Sequence, residues 1–220
     1  MKNRNKLHLS IVFLAAFVLW TVAICFVDVQ PIGPQESEVG FAAVNRFFHR
    51  ITGVHMGLYI LTDWLGLVPV AVIFGFGMLG LCQWIKRRSV FKVDPGILVL
   101  GGFYLVVMTA YLFFERVVIN YRPVLIQGIL EASYPSSTTL LVMCVMPTAM
   151  MQLKQRIKHR GLRSMVLSAI AAFTAFMVLG RLVSGVHWLT DIIGGALLSQ
   201  GLDLLYAGVY DTVSTRQFQR

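Results

Sequence analysis

Acidic residues are scarce: the 220-residue chain has ten Asp and Glu, and charged residues of both signs make up only 13% of it. A soluble domain keeps about a quarter of its residues charged to cover its surface, so a chain this poor in charge presents much of its exterior to lipid. Cysteine is scarce as well. Cys25, Cys82 and Cys144 are odd in number, lie in apolar runs and show neither Cys-x-x-Cys nor Cys/His spacing, which excludes a disulfide framework and a structural zinc site. They read as small core residues. The 7 prolines and 19 glycines follow no period, so collagen-like and low-complexity chains are excluded too.

Apolar sequence is abundant, at 57% of residues with a mean hydropathy of +0.73. Six apolar stretches, at about residues 7–27, 64–84, 95–114, 132–153, 164–180 and 186–210, each approach the roughly 20 residues that a bilayer crossing needs. The first carries no charge. A signal peptide is its alternative reading, but the run is long for such a segment and Asp28-Val29-Gln30-Pro31 lacks a small-residue cleavage pattern. The sixth is weakest, because Asp191 and Asp203 interrupt it. Residues 31–38 read as a loop. Residues 39–63 set Phe41, Val44, Phe47 and Phe48 against Asn45, Arg46, His49 and Arg50, the pattern of a helix or helix pair lying at the outer interface. The expected fold is a single all-α integral membrane domain over residues 1–220. It has six transmembrane helices in one bundle, an amphipathic interfacial segment, and an active-site pocket at the extracytoplasmic end. Gly194, Gly195 and Ala196 are expected to let the sixth span approach its neighbours closely.

The net charge of +9 would suggest nucleic acid in a soluble protein. Here most of the basic residues fall in short clusters between spans: Lys2, Arg4 and Lys6; Lys86, Arg87, Arg88 and Lys92; Lys154, Arg156, Lys158, Arg160 and Arg163; Arg216 and Arg220. That spacing follows the positive-inside rule and points to anionic lipid rather than nucleic acid. It predicts a multi-pass protein of the cell membrane with both termini in the cytoplasm. Arg122, the Ser136 region and residues 181–191 then share the outer face.

Three polar clusters gather there: Arg122-Pro123, Tyr134-Pro135-Ser136-Ser137-Thr138, and Gly180-Arg181 with His187 and Asp191. Ionisable groups beside apolar spans are costly and mark function by default. His187 and Asp191 are four apart, so on a helix the carboxylate accepts the imidazole N–H and leaves the other ring nitrogen free as base or nucleophile. Arg122 and Arg181 offer planar forks for phosphate oxygens. The Ser136 and Ser137 region opens a span where unpaired amides and the helix dipole favour an anion. Taken singly, each has a plain structural reading as a cap, a core pair or an interfacial arginine.

Together these residues resemble the type 2 phosphatidic acid phosphatase family, whose relatives include bacterial lipid phosphatases and vanadium haloperoxidases. The family motifs are Lys, six residues, Arg-Pro; Pro-Ser-Gly-His; and Ser-Arg, five residues, His, three residues, Asp. Arg122-Pro123 looks like the end of the first, Pro135-Ser136-Ser137-Thr138 the second, and residues 180–191 the third, so the motif core spans 115–191. The resemblance implies a phosphohistidine mechanism without metal or other cofactor. His187 attacks phosphorus, Asp191 orients it, and Arg122, Arg181, Ser136, Ser137 and Gly180 form the phosphate site. The partners it implies are a lipid phosphate or diphosphate and the membrane lipids.

The chain departs from the motifs at four places. Glu115 stands at the Lys position, with Arg116 beside it; Ser137 replaces Gly; Gly180 replaces Ser; and Thr138 stands where the family has the His that protonates the leaving group. A phosphate leaving a diphosphate needs no such proton, since its pKa is about 6 by analogy with phosphoserine. The expectation is therefore a lipid diphosphate such as a polyprenyl diphosphate. His49, His55, Tyr134 and Glu131 are alternative acids. Two other readings stay open: a catalytically weak or inactive member that binds or transports a lipid phosphate, and a membrane transporter or assembly factor without such a site.

Overall fold

The computed structural model describes residues 2–218, with side chains described from Arg4 to Val213. Lys2, Arg216 and Arg220 of the basic clusters lie outside the described side chains. The chain folds as α1 (Lys2–Phe26), a two-residue hairpin of β1 (Gln30–Pro31) and β2 (Glu38–Val39), α2 (Ala42–Thr52), α3 (Met56–Leu65), α4 (Leu67–Arg87), α5 (Pro95–Arg116), α6 (Ser137–Arg156), α7 (Arg160–Val183) and α8 (Leu189–Phe218).

Among the described residues, five helical stretches are long and apolar enough to cross a membrane: Arg4–Phe26, Met56–Arg87, Pro95–Arg116, Arg160–Val183 and Leu189–Val213. The fourth expected span, α6, is not among them. It is the hub of the bundle, packed against α4, α5, α7 and α8, and therefore does not need an apolar surface all round. Its polar residues Thr139, Thr148 and Gln152 are buried against protein. Gln152 Nε2 donates to the Gly96 carbonyl at 3.1 Å and to the Tyr206 hydroxyl at 2.6 Å.

The boundaries move for physical reasons. The fourth span starts at Ser137 rather than residue 132, because 132–136 is extended chain, bridged from Ala132 to Tyr121 and capped into α6 by Ser136. The fifth covers Arg160–Val183, and the last starts at Leu189 rather than 186. The largest correction concerns residues 39–63. Only α2 is an amphipathic helix apart; α3 runs on into α4 as one stretch, Met56–Arg87. The two are divided at Gly66, where Pro69 has no N–H to give the Leu65 carbonyl. Asp63 makes this region look too polar to span, but its charge is met by an arginine of α7 (below).

Helix α1 lies antiparallel along α8, with Ser10 Oγ donating to the Gly201 carbonyl at 2.7 Å, Lys6 paired with Asp211 at 2.7 Å, and Trp20 Nε1 donating to the Thr190 carbonyl at 3.1 Å. It is thus an integral wall of the bundle. Arg156 at the end of α6 pairs with Asp94 at the start of α5 at 2.9 Å, so the described basic clusters gather at one end. The motif residues gather at the other. There Phe17, Phe114 and Tyr134 pack with ring centroids 5.6–6.2 Å apart, fixing the chain before α6 to α1 and α5. Gly194 admits Tyr134: a Cβ there would stand 2.3 Å from its ring.

Candidate active site

The first turn of α6 forms one side of the site. Ser136 Oγ accepts from the Thr139 amide at 3.4 Å and the Thr139 hydroxyl at 3.0 Å. The amides of Ser137 and Thr138 have no partner among the described residues, which leaves them and the helix dipole for an anion. The Ser136 amide is occupied, donating to the Asp191 carbonyl at 3.1 Å, and Ser136 is fully buried. Its place is in the framework, not at an open face.

His187 and Asp191 do not stack on one helix. His187 precedes α8, in the turn that Gly185 allows: at φ +69° its backbone meets the Gly53 carbonyl so closely that a Cβ would stand 1.8 Å from it. The Ser184 carbonyl accepts from the His55 amide at 2.9 Å, which docks the α2–α3 turn against this loop. His187 Nδ1 donates to the Ser133 carbonyl at 3.1 Å, whereas the Asp191 carboxylate lies 3.7 Å away, too far for a hydrogen bond. Asp191 instead accepts from the Trp188 amide at 2.9 Å and from Asn120 Nδ2 at 3.2 Å. It holds the turn and places a negative charge beside the ring.

With Nδ1 carrying the proton, Nε2 presents its lone pair, and Arg122 Nη1 donates to it at 3.0 Å. Burial, and after it the Arg122 charge, draws the His187 pKa down from 6.5 to about 4 against the opposing effect of Asp191. The imidazole is neutral at neutral pH, as a nucleophile must be.

Both arginines already face carboxylates. Arg122 Nε lies 3.0 Å from Glu131, and Arg181 Nη2 lies 2.7 Å from Asp63 and 2.6 Å from the Thr138 hydroxyl. The Tyr59 ring lies 5.9 Å from the Arg122 guanidinium and 5.0 Å from that of Arg181, within cation–π range. Arg181 is buried, yet its Nε and Nη1 have no partner among the described residues. Such orphaned donors are costly and are what a phosphate would satisfy.

The remaining expected residues divide. Glu115, Tyr111, Ser137 and His187 line one cleft, and Arg116 does not line it. Thr138 lines a neighbouring cleft with Asp63, Tyr111 and Ser137. Gly180 serves packing: a Cβ there would meet Thr62 of α3 at 2.8 Å. Among the alternative acids, the Tyr134 hydroxyl is held by Thr21 at 2.7 Å and Glu131 by Arg122. His49 lies against the Trp188 ring, and His55 is exposed and bonded to the Thr52 carbonyl; neither lines the cleft. Sequence reasoning missed Tyr59, Asp63, Asn120 and Ser133. Asp63, a lone acid in an apolar run, was the one readable signal. Among the described residues no three His, Cys, Asp or Glu side chains gather as a metal site requires.

No curated protein sequence matches the chain significantly. Its fold is similar to a solved structure, the transmembrane PAP2 type phosphatidylglycerolphosphate phosphatase from Bacillus subtilis. The TM-score is 0.52 at 19% identity, and the match covers 93% of this chain and 96% of that one. The profile of the PAP2 superfamily matches residues 70–213, a segment that holds Glu115, Arg122, the α6 N-terminus, Arg181, His187 and Asp191, and the chain belongs to that superfamily.

Proposed function

We propose that the chain is a membrane phosphatase that hydrolyses a lipid phosphate, by preference a lipid diphosphate such as a polyprenyl diphosphate, through a phosphohistidine on His187. The observation that carries this reading is the fixed imidazole: Nδ1 on the Ser133 carbonyl and Nε2 3.0 Å from Arg122. A phosphoryl oxygen that takes over the Arg122 donor brings phosphorus next to the Nε2 lone pair. Nε2 attacks phosphorus, the bond to the leaving oxygen breaks, and water then attacks the phosphohistidine to release inorganic phosphate. Arg122, the free donors of Arg181, and the Ser137 and Thr138 amides hold the phosphoryl oxygens. Asp191 offsets the positive charge that forms on the ring. Ser136 and Gly180 shape the frame around them.

The diphosphate preference rests on Thr138, whose hydroxyl is tied to Arg181 and is no acid for an alkoxide. The basic clusters support six crossings with both termini in the cytoplasm and the cleft on the outer face of the cell membrane. Phosphate release by detergent-purified protein from a polyprenyl diphosphate and from phosphatidic acid, beside His187→Ala, tests the reading. Release that needs His187 and favours the diphosphate is expected. A second reading draws on the ion pairs of Arg122 and Arg181 with Glu131 and Asp63: a site that holds lipid phosphate without turning it over. Binding without release, in wild type as in His187→Ala, is its signature.

A further inference from the structure

Glu115 lies in the last turn of α5, lining the same cleft as His187, seven residues before Arg122, at the place where the first motif carries a cation. A carboxylate there repels a phosphate dianion, unless it holds a proton. The groups around it are few. Tyr111 lies one turn back on α5, and Tyr134 and His187 share the cleft. Arg122 with Glu131 stands behind His187, and Arg181 with Asp63 stands across the neighbouring cleft that Tyr111 also lines. From α6 the cleft receives only Ser137 and Leu140, which do not titrate. The Tyr134 hydroxyl is held by Thr21 and the Thr138 hydroxyl by Arg181. Tyrosine is in any case a weak acid, with a pKa of about 10. Glu115 is thus the one carboxyl group that lines the cleft with His187.

We infer that Glu115 supplies the proton that Thr138 cannot, so that acidity decides which leaving groups the site accepts. The inference rests on His187 as nucleophile. As Nε2 bonds to phosphorus and the bond to the leaving oxygen breaks, the Glu115 carboxyl gives its proton to that oxygen. In the second half water attacks phosphorus and the bond to Nε2 breaks, the water's protons leaving on the released phosphate, while the carboxylate left by monoester turnover regains its proton from solvent. The carboxyl group returns to its starting state, and one water is consumed for one phosphate released. A bound phosphate dianion is repelled by the carboxylate form and not by the acid form. In acid the site therefore serves an alkyl monoester, whose alkoxide needs the proton. Near neutrality it serves the diphosphate, which leaves unaided.

The test measures turnover of phosphatidic acid and of a polyprenyl diphosphate by the full chain in detergent between about pH 5 and about pH 8, for wild type, Glu115→Gln and Glu115→Asp, with His187→Ala as control. In wild type the ratio of monoester to diphosphate turnover rises at least about tenfold as pH falls. In Glu115→Gln the ratio is flat, because monoester turnover in acid drops about 10²-fold further than diphosphate turnover does; general acids are typically worth 10²–10⁴. Glu115→Asp keeps the rise at a lower rate, which a merely structural role would not produce. A flat ratio in wild type, or equal losses on both substrates in Glu115→Gln, overturns the inference. Phosphoenzyme formed from labelled diphosphate separates the two readings: it is expected in wild type and Glu115→Gln and absent in His187→Ala. A phosphoenzyme with a flat ratio sinks the role of Glu115 alone, whereas no phosphoenzyme in wild type sinks the nucleophile and this inference with it.

Discussion

Arg181 Nη2 lies 2.7 Å from Asp63 Oδ1 while the Nε and Nη1 of the same guanidinium are buried without partners among the described residues. The arginine is therefore held from one side only, and on the proposed function Asp63 competes with a phosphate for it. The Asp63 side chain is 59% exposed but that of Arg181 only 3%, so the Asp63 charge offsets part of the cost of burying the guanidinium.

Asp63→Asn, which keeps an oxygen for Arg181 Nη2, is expected to fold and to bind phosphate more tightly. Inhibition of turnover by inorganic phosphate reads this directly, and the inhibition constant should fall by about fivefold, the equivalent of about 1 kcal/mol. An unchanged or higher constant would show that Asp63 positions Arg181 rather than competing for it.

Thr138 has a role in this arrangement despite its mismatch with the motif, since its hydroxyl accepts from Arg181 Nη2 at 2.6 Å. Thr138→Val should weaken phosphate binding by about tenfold, the worth of one hydrogen bond to a charged group at its lower end. Thr138→His should raise monoester turnover more than diphosphate turnover. Equal effects on both substrates would remove the leaving-group argument.

The low pKa of His187 has a second source besides burial, the Arg122 charge, and the sign of its effect is fixed. A histidine whose pKa falls on folding, here from 6.5 to about 4, stabilises the fold fully above the unfolded value and loses that contribution as pH falls toward the folded one. In an NMR titration Arg122→Gln should raise the His187 midpoint toward 6.5, and Asp191→Asn should lower it. A midpoint indifferent to Arg122 would mean that the two groups do not face each other.

The positions of the apolar helices were readable because lipid demands long uncharged runs, and residues 95–114 came within two residues of α5. What failed to show was polarity satisfied by tertiary partners. Asp63 disguised the start of the second span because its cation, Arg181, is more than a hundred residues away in sequence. α6 is less apolar than the other long helices because its polar residues are met by protein rather than lipid, which a pattern of apolar residues does not show. In the site, the side chains were legible through spacing and the backbone partners were not. His187 is steered by the carbonyl of Ser133, which carries no side-chain signature, and the spacing of four residues wrongly placed His187 and Asp191 on one helix.

Small residues at the top of α8 have a stability consequence. Gly194→Ala places a methyl group 2.3 Å from the Tyr134 ring, which is itself locked between α1 and α5. An overpacked contact of this kind costs about 1–3 kcal/mol, and thermal unfolding in detergent should show a lower Tm with reduced activity. Gly101→Ala, where a Cβ meets nothing within 4 Å, is the control and should leave Tm nearly unchanged. A Tm for Gly194→Ala equal to the control's would refute the close packing at Tyr134.

The nucleophile is the centre of the account. Brief reaction of the purified protein with a terminally labelled lipid diphosphate, followed by quenching in alkali and peptide mapping, should give an acid-labile, alkali-stable phosphoryl group on His187, absent from His187→Ala. Label on another residue, or rapid phosphate release with no covalent label at any time, would contradict it.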